Sequence, residues 1–467
     1  MSSPMSRTKS RTLAGLAAAT TAVLLANAPA VAAEPVATDN YRPSSGPLTG
    51  GNSAYEYAPT IIAEGGKYRM WYCGQDPRGK VPGDDILYAE STSLNGPFTG
   101  PGGGAPAIVF EGSGGGAFDG QHTCDPSVVK APDGTYYMYY SAAVHDGETS
   151  IGVARSRDGL SWERMKNTAI IAAAHQKDTG NHYGAGQPSA VYRDGKFYLI
   201  FTDTTGAGAL PNGAGQFAWR ASTPTFDDTE VFTGNGWQAY TAANSRAFMV
   251  ANAFSADWQY SDELSAFIVA HHNEQNQTTL TFLKGDNLAV QPYAPANFAG
   301  AWVEGPGIVS RPDKHAVDDA KSECGRVPID VVHASKGSPP QDLVHKGVDI
   351  KAKVDCGPKP TQSPTPTGTP TTPPTGKPTA TATPPASTPP VPPTVAPSST
   401  STNSAVPQPT STGASPSTVP VADGGNLAET GGGSNTGMIA GIGGALVVVA
   451  GGTTYWLRRR SRPTAGA

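Results

Sequence analysis

Two acidic residues far apart in the 467-residue chain open stretches of the same kind. Asp125 stands before Pro126 at the start of "DPSVVKAPDGTYYMYYS", and Glu304 stands before Gly305-Pro306 in "EGPGIVSRPD". A carboxyl at the mouth of an apolar hairpin can act as a general acid or base, because burial and neighbouring charges separate the pKa values of two such groups. Asp before Pro is also ordinary turn chemistry at a strand start, so both readings of Asp125 stand. Other residues that could touch a ligand lie close by in sequence. His122 precedes Asp125, His182-Tyr183 precede Gln187, Trp302 precedes Glu304, and Glu56 lies two residues before Ala58. Asp133 and Asp158 sit in repeated turns and read as structural. No Gly-x-Ser-x-Gly, phosphate loop or His-Glu-x-x-His is present.

The elements that must position these residues repeat. "APTIIAEGGKYRMWYCG" (58–74), "DPSVVKAPDGTYYMYYS" (125–141) and "QPSAVYRDGKFYLIFTD" (187–203) share a Pro, apolar residues, a Gly turn and an aromatic strand. Pro59, Pro126, Pro188 and Pro306 are spaced by 67, 62 and 118 residues, the last being two periods of 59. The missing copy is expected near 248, in "AFMVANAFSADWQYSDELSAFIVAHH". A second element keeps the same beat at 86–98, 151–163, 217–229, 279–287 and 329–337. β-branched and aromatic residues between Gly, Asp and Asn turns predict strands, and no amphipathic helix is found. Five such units predict an all-β fold, a five-bladed β-propeller, over residues 40–357. The agreement of two motifs over five periods favours it over a β-sandwich.

Composition bounds the partners. Residues 1–33 hold three basic residues and the C-terminal tail four, with no acid in either, so the remainder balances 26 basic against 38 acidic residues. That excludes the basic footprint of a nucleic-acid binder. Four cysteines in an exported domain predict two disulfides with three possible connectivities; the adjacent repeats favour Cys73 with Cys124, which leaves Cys324 with Cys356 at the domain end. Without Cys-x-x-Cys there is no zinc or redox motif, and no metal or cofactor is expected; a central cation near His271-His272 is the one alternative, with a surface strand end preferred.

The ends read as addresses. Residues 1–33 have a basic start, an apolar stretch and a Val31-Ala32-Ala33 cleavage site, a signal peptide. Residues 358–426 are rich in Pro, Thr and Ser and predict an extended stalk, with a reach on the order of 200 Å at about 3.1 Å per residue. Residues 427–467 begin with "LAETG" (Leu427, Ala428, Glu429, Thr430, Gly431), continue with 20 uncharged residues from Met438 to Leu457, and end on Arg458, Arg459, Arg460 and Arg462. This resembles the sorting signal of Gram-positive sortase substrates. The resemblance implies a transmembrane helix before sorting, cleavage between Thr430 and Gly431, and attachment of Thr430 to peptidoglycan, with sortase and peptidoglycan as partners and the cell wall as the location.

From 55 to 340 the chain resembles the five-bladed glycoside hydrolase superfamily of the arabinanase, β-xylosidase, invertase and levansucrase families. The likeness rests on "DP" with "DGTYYMYYS", "RSRDGLSW", "KYRMWYCG" and "EGP". It implies that Asp125 and Glu304 point into one central funnel, Asp125 as base or nucleophile and Glu304 as general acid, on a polysaccharide containing arabinose or xylose. Glu56, His122, Tyr183, Gln187 and Trp302 are the expected substrate contacts. The arabinanase-type families place a further Asp between the two acids, where this chain has Gln187; Asp203 and Asp257 are the alternatives at other registers. Ala58 stands at the Asp position of the first repeat. The second reading is therefore a propeller that binds sugar or protein without cleaving it.

Overall fold

The computed structural model describes residues 33–43, 46–50, 54–144, 147–272, 277–298, 304–317, 323–336 and 340–355. The signal segment, the stalk, the LAETG signal, the 438–457 run, Trp302 and Cys356 lie outside the described residues. Among the described residues there is no helix, and none long and apolar enough to cross a membrane.

Strand β1 (Val36–Arg42) is followed by five groups. The first holds β2 (Ala54–Glu64), β3 (Lys67–Gln75), β4 (Asp85–Ser91) and β5 (Ala107–Phe110). The second holds β6 (His122–Lys130), β7 (Tyr136–Ala143), β8 (Ser150–Ser156) and β9 (Glu163–Arg164). The third holds β10 (Ala185–Arg193), β11 (Lys196–Asp203), β12 (Gln216–Ala221), β13 (Glu230–Phe232) and β14 (Trp237–Ala239). The fourth holds β15 (Ala256–Ser261), β16 (Ala266–His272), β17 (Thr278–Lys284) and β18 (Ala296–Phe298), and the last β19 (Gly307–Ser310), β20 (Arg326–Lys336) and β21 (Gln341–Ala352).

Within a group, neighbours in sequence pair antiparallel because the turns between them are short and of the right residue type. Gly65-Gly66 and Asp194-Gly195 close two-residue hairpins with both turn residues at positive φ. The last group takes its outer strand from the opposite end of the chain, as β1 pairs antiparallel with β21. It also joins the first group through a short parallel contact, Val309 with Ile61 and Ser310 with Ile62, which produces one eight-stranded sheet beside sheets of five, four and four strands.

The core is divided in the same way. Five clusters of buried apolar side chains each lie between consecutive groups. Trp71 and Met138 mark the first interface, Tyr139 and Leu199 the second, Ile200 and Trp258 the third, and Phe282 and Ile350 the fourth. The fifth cluster returns from Val332 and Leu343 in the last group to Met70 and Leu87 in the first. The fold is thus all-β with several sheets consistent with a propeller.

Two sequence expectations change here. The fourth repeat begins at Ala256, somewhat after the position the period predicts, because the 241–255 segment before it adds bends and turns. Residues 329–336, from the last copy of the second element, belong to β20, the second strand of its group, where the other copies fall on the third. Alternation shows that a segment is a strand but not which neighbour it will pair with.

Candidate active site

The inner strands of the first three groups begin with one repeated distortion. Between the pairs Tyr57–Cys73 and Thr60–Trp71, Ala58-Pro59 oppose Tyr72 alone. Asp125-Pro126 oppose Tyr140, and Gln187-Pro188 oppose Phe201, in the same two-against-one pattern. The first residue of each bulge is left-handed, with φ of 45°, 46° and 49° at Ala58, Asp125 and Gln187. Proline has no N–H to give to the ladder and disfavours the right-handed helical region for the residue before it, so this sequence suits a bulge. Each bulge re-aims one side chain out of the alternation of its strand.

The three bulges and the starts of the other two groups line one cavity, which includes Ala58, Asp125, Gln187, Asp257, Gly305 and Pro306. The last strand arrives there on glycines. A Cβ at Gly305 would lie 3.0 Å from the Ala58 Cβ, and one at Gly307 only 1.8 Å from the Pro59 carbonyl oxygen. A second, smaller cavity adjoins the first at Asp125 and Gln187, walled by Tyr57, His122, Ser141 and Tyr183. A further cavity, about 730 Å³, lies at the other end of the inner strands, among the 131–132, 193–195 and 311–313 turns. Its cations are all paired, Arg311 with Asp262 and Asp313, Arg193 with Asp194 and Lys130 with Glu64, and it lies at the opposite end of the inner strands from the Asp125 bulge.

Asp125 is 7 % exposed. Its Oδ2 accepts the Tyr183 phenol at 3.3 Å, while Oδ1 is buried without a hydrogen bond. Burial pushes its pKa up to about 6, with the Asp84 charge adding to the rise; hydrogen bonds from Ser141 and Tyr183 oppose it. Glu304 is buried as well, at 6 % exposure. Its charge reaches the same phenols as that of Asp125: Tyr57 and Tyr183 are both raised well above the ordinary tyrosine range, first by burial and then by acids that include Asp125 and Glu304. The two phenols stay protonated and donate, Tyr183 to Asp125 and Tyr57 to Asp84.

Most of the expected contact residues gather here. His122 accepts the Asp84 N–H at 3.3 Å and lies against the small cavity. Tyr183 bonds Asp125, and Gln187 lines both cavities with its Oε1 unpartnered. His182 is exposed. Glu56 does not line either cavity. It lies in an earlier irregularity of β2, between the Ala54–Gln75 and Tyr57–Cys73 pairs, where its Oε1 accepts the Thr49 hydroxyl at 2.9 Å and its charge acts on Tyr72. Asp203 is fully buried and bound to Arg246 at 2.9 Å. Asp257 lines the first cavity, but its carboxylate is held at 2.8 Å by Lys314 and at 2.6 Å by the Ile308 N–H. His271 is a buried strand residue that bonds Thr281 at 2.8 Å, not a surface strand end.

Two groups escape the sequence reading. Tyr57 lies beside Ala58, and its hydroxyl approaches Asp84 at 3.3 Å. Asp84 is buried, accepts Gln75 at 2.8 Å, and supplies a third acid near Asp125. The one trace of it in sequence is the Asp84-Asp85 pair before an apolar strand.

Cys73 and Cys124 form a disulfide with Cα atoms 5.0 Å apart, tying β3 to the residue before Asp125. Cys324 is also disulfide-bonded.

The sequence profile of Glycosyl hydrolases family 43 matches residues 34–202. The match spans β1 to β11 and contains Asp125 but not Glu304, and it supports a glycosidase. No curated protein matches the chain. Similar solved structures include a family 117 glycoside hydrolase from Zobellia galactanivorans, 13% identical over 70% of this chain and 93% of that one, with a TM-score of 0.47. An alpha-L-arabinofuranosidase from Podospora anserina is 10% identical over 68% of this chain and 97% of that one, with a TM-score of 0.42. A glycosyl hydrolase from Bacteroides ovatus is 11% identical over 66% of this chain and 94% of that one, with a TM-score of 0.41.

Proposed function

We propose that this chain is an exported glycoside hydrolase, a five-bladed propeller carried on a Pro/Thr/Ser-rich stalk and joined to the cell wall at Thr430. Its substrate class is a polysaccharide containing arabinose or xylose. The observation that carries the reading is the pair of buried acids, Asp125 and Glu304, acting on the same two phenols, Tyr57 and Tyr183. The family match over residues 34–202 supports it.

Cleavage of a glycosidic bond needs a proton for the leaving oxygen and a carboxylate on the other side of the sugar ring. Glu304 gives the proton. Asp125, ionised above about pH 6, either takes a proton from the attacking water or attacks the anomeric carbon itself. Tyr183 donates to Asp125 and fixes the direction of its lone pairs. Gln187 offers its unpartnered amide oxygen to a sugar hydroxyl.

A second reading follows from the three equivalent bulges, of which Asp125 alone is acidic beside Ala58 and Gln187. It is a propeller that binds a glycan without cleaving it. A panel of nitrophenyl glycosides with arabinan and xylan separates the two. Hydrolysis by the wild type, lost in Asp125→Asn and Glu304→Gln, supports the enzyme. A silent wild type that still binds arabino- or xylo-oligosaccharides supports the binder.

A further inference from the structure

The small cavity beside Asp125 has more hydrogen-bonding capacity than the protein uses. Three of its wall residues bury an oxygen that bonds no protein group: Asp125 Oδ1, Thr149 Oγ1 and Gln187 Oε1. All three side chains are buried, Thr149 at 1 % exposure. Buried polar groups are almost always paired, with protein or with ordered water, so three of them on one cavity point to a bound partner.

The size of the cavity selects that partner. It offers about 10 Å³ to the centre of a water-sized group, room for one water. A calcium or magnesium ion needs about six oxygens, and of the three here only Asp125 carries a charge. A water suits all of them. It donates one hydrogen to Asp125 Oδ1 and one to Gln187 Oε1, and accepts the Thr149 hydroxyl proton, about the three bonds that a buried water makes. Gln187 keeps a second lone pair for a sugar hydroxyl.

Thr149, which no sequence motif marks, is built into its place. Its N–H donates to the Tyr183 carbonyl at 2.7 Å and its carbonyl accepts the Ala185 N–H at 2.9 Å, so it ties the second group to the third. A Cβ on Gly186 would lie 2.8 Å from Thr149 Cγ2 and 2.3 Å from the Tyr183 hydroxyl oxygen, and the glycine makes room for both side chains. With the methyl against Gly186, the stiff χ1 of a β-branched residue holds the hydroxyl in one direction.

We propose that the small cavity binds one water, held by Asp125, Gln187 and Thr149, and that through this water Thr149 positions the Asp125 carboxyl. Tyr183 fixes Oδ2 and the water fixes Oδ1, which holds the carboxyl against rotation. The water is a fixture of the site and is not consumed. Its effect on rate rests on the reading of Asp125 as base or nucleophile; its presence does not.

A crystal structure of the protein, fine enough to show waters, is expected to place one in this cavity in the wild type and in Thr149→Ser, and none in Thr149→Val. Urea melts test the same contact without a substrate. The stability lost in Thr149→Val is expected to be larger at pH 8 than at pH 4, because the ionised Asp125 loses a donor that its protonated form needs less. In hydrolysis, Thr149→Val is expected to move the acid limb of the pH–rate profile to higher pH and to lower kcat by about tenfold or more with KM little changed, while Thr149→Ser stays close to the wild type. A wild-type cavity without a water, or a Thr149→Val protein with the pH dependence of the wild type, overturns the site. If Thr149→Val does not fold, the wild-type density decides alone. A wild type that holds the water and cleaves no glycan overturns the glycosidase reading and leaves the water site standing; one that cleaves glycans without the water does the reverse.

Discussion

Because folding raises the Asp125 pKa to about 6 from 3.8, its protonated form is the one the fold prefers. The penalty is absent below about pH 4, grows as pH rises through the ordinary and the raised values, and is constant above them. At 1.36 kcal/mol per pH unit, Asp125→Asn should stabilise the protein at pH 8 by up to about 3 kcal/mol and leave it unchanged at pH 4. Urea melts at the two pH values check this, and a variant that is less stable at pH 8 contradicts the burial argument. The same variant should lose hydrolysis by about a hundredfold or more. Tyr183→Phe removes a hydrogen bond that holds this pKa down, so the acid limb of the pH–rate profile should move to higher pH. At this scale the sequence was informative where a motif fixed the register. Asp125, His122, Tyr183 and Gln187 all sit at or just before a repeat opening. Asp84 was illegible because it comes from another strand's loop, seated by the Thr123 N–H on its carbonyl at 3.0 Å. Glu56 was not placed by spacing because it sits in an earlier irregularity of β2, where Tyr55-Glu56 oppose Gly74 alone and simple alternation fails.

The element that matters is the bulge-and-proline start. A left-handed non-glycine residue costs about 1–2 kcal/mol, and three equivalent positions carry that strain. Only one of them holds an acid. Ala58→Gly should therefore be neutral or stabilising by about 1 kcal/mol, because the left-handed relief outweighs the added freedom of the unfolded chain. Gly307→Ala should do the opposite. Its Cβ would meet the Pro59 carbonyl oxygen at 1.8 Å and push β19 off β2, for a loss of about 3 kcal/mol or more. Denaturant midpoints for the two variants give the answer, and equal effects would mean that the approach of β19 to β2 does not matter. Most strands were readable from β-branched and aromatic runs between Gly and Asp turns. The pairing of β1 with β21 was not, because no local pattern joins residues 36–42 to 341–352 and only the folded sheet brings them together.

At the scale of the whole molecule, three groups meet on one buried ion pair. Lys314 is fully buried, with Nζ 2.8 Å from both oxygens of Asp257. Asp257, from the fourth group, also accepts the Ile308 N–H of the last group and the Ser189 hydroxyl of the third. It therefore holds the strand that follows Glu304 against the strand that carries Gln187. Replacing both members of such a pair by apolar residues is often tolerated, but removing one leaves an unpaired charge in the interior and costs about 3–5 kcal/mol. Lys314→Met should be that costly, and Lys314→Met with Asp257→Asn together should recover part of the loss, since the second change removes the stranded charge but keeps an acceptor for Ile308 and Ser189. The double-mutant cycle reads the coupling directly. A single variant that costs no more than about 1 kcal/mol would mean that Asp257 is neutralised by water instead of by Lys314, and that the two inner strands keep their places without a charge between them.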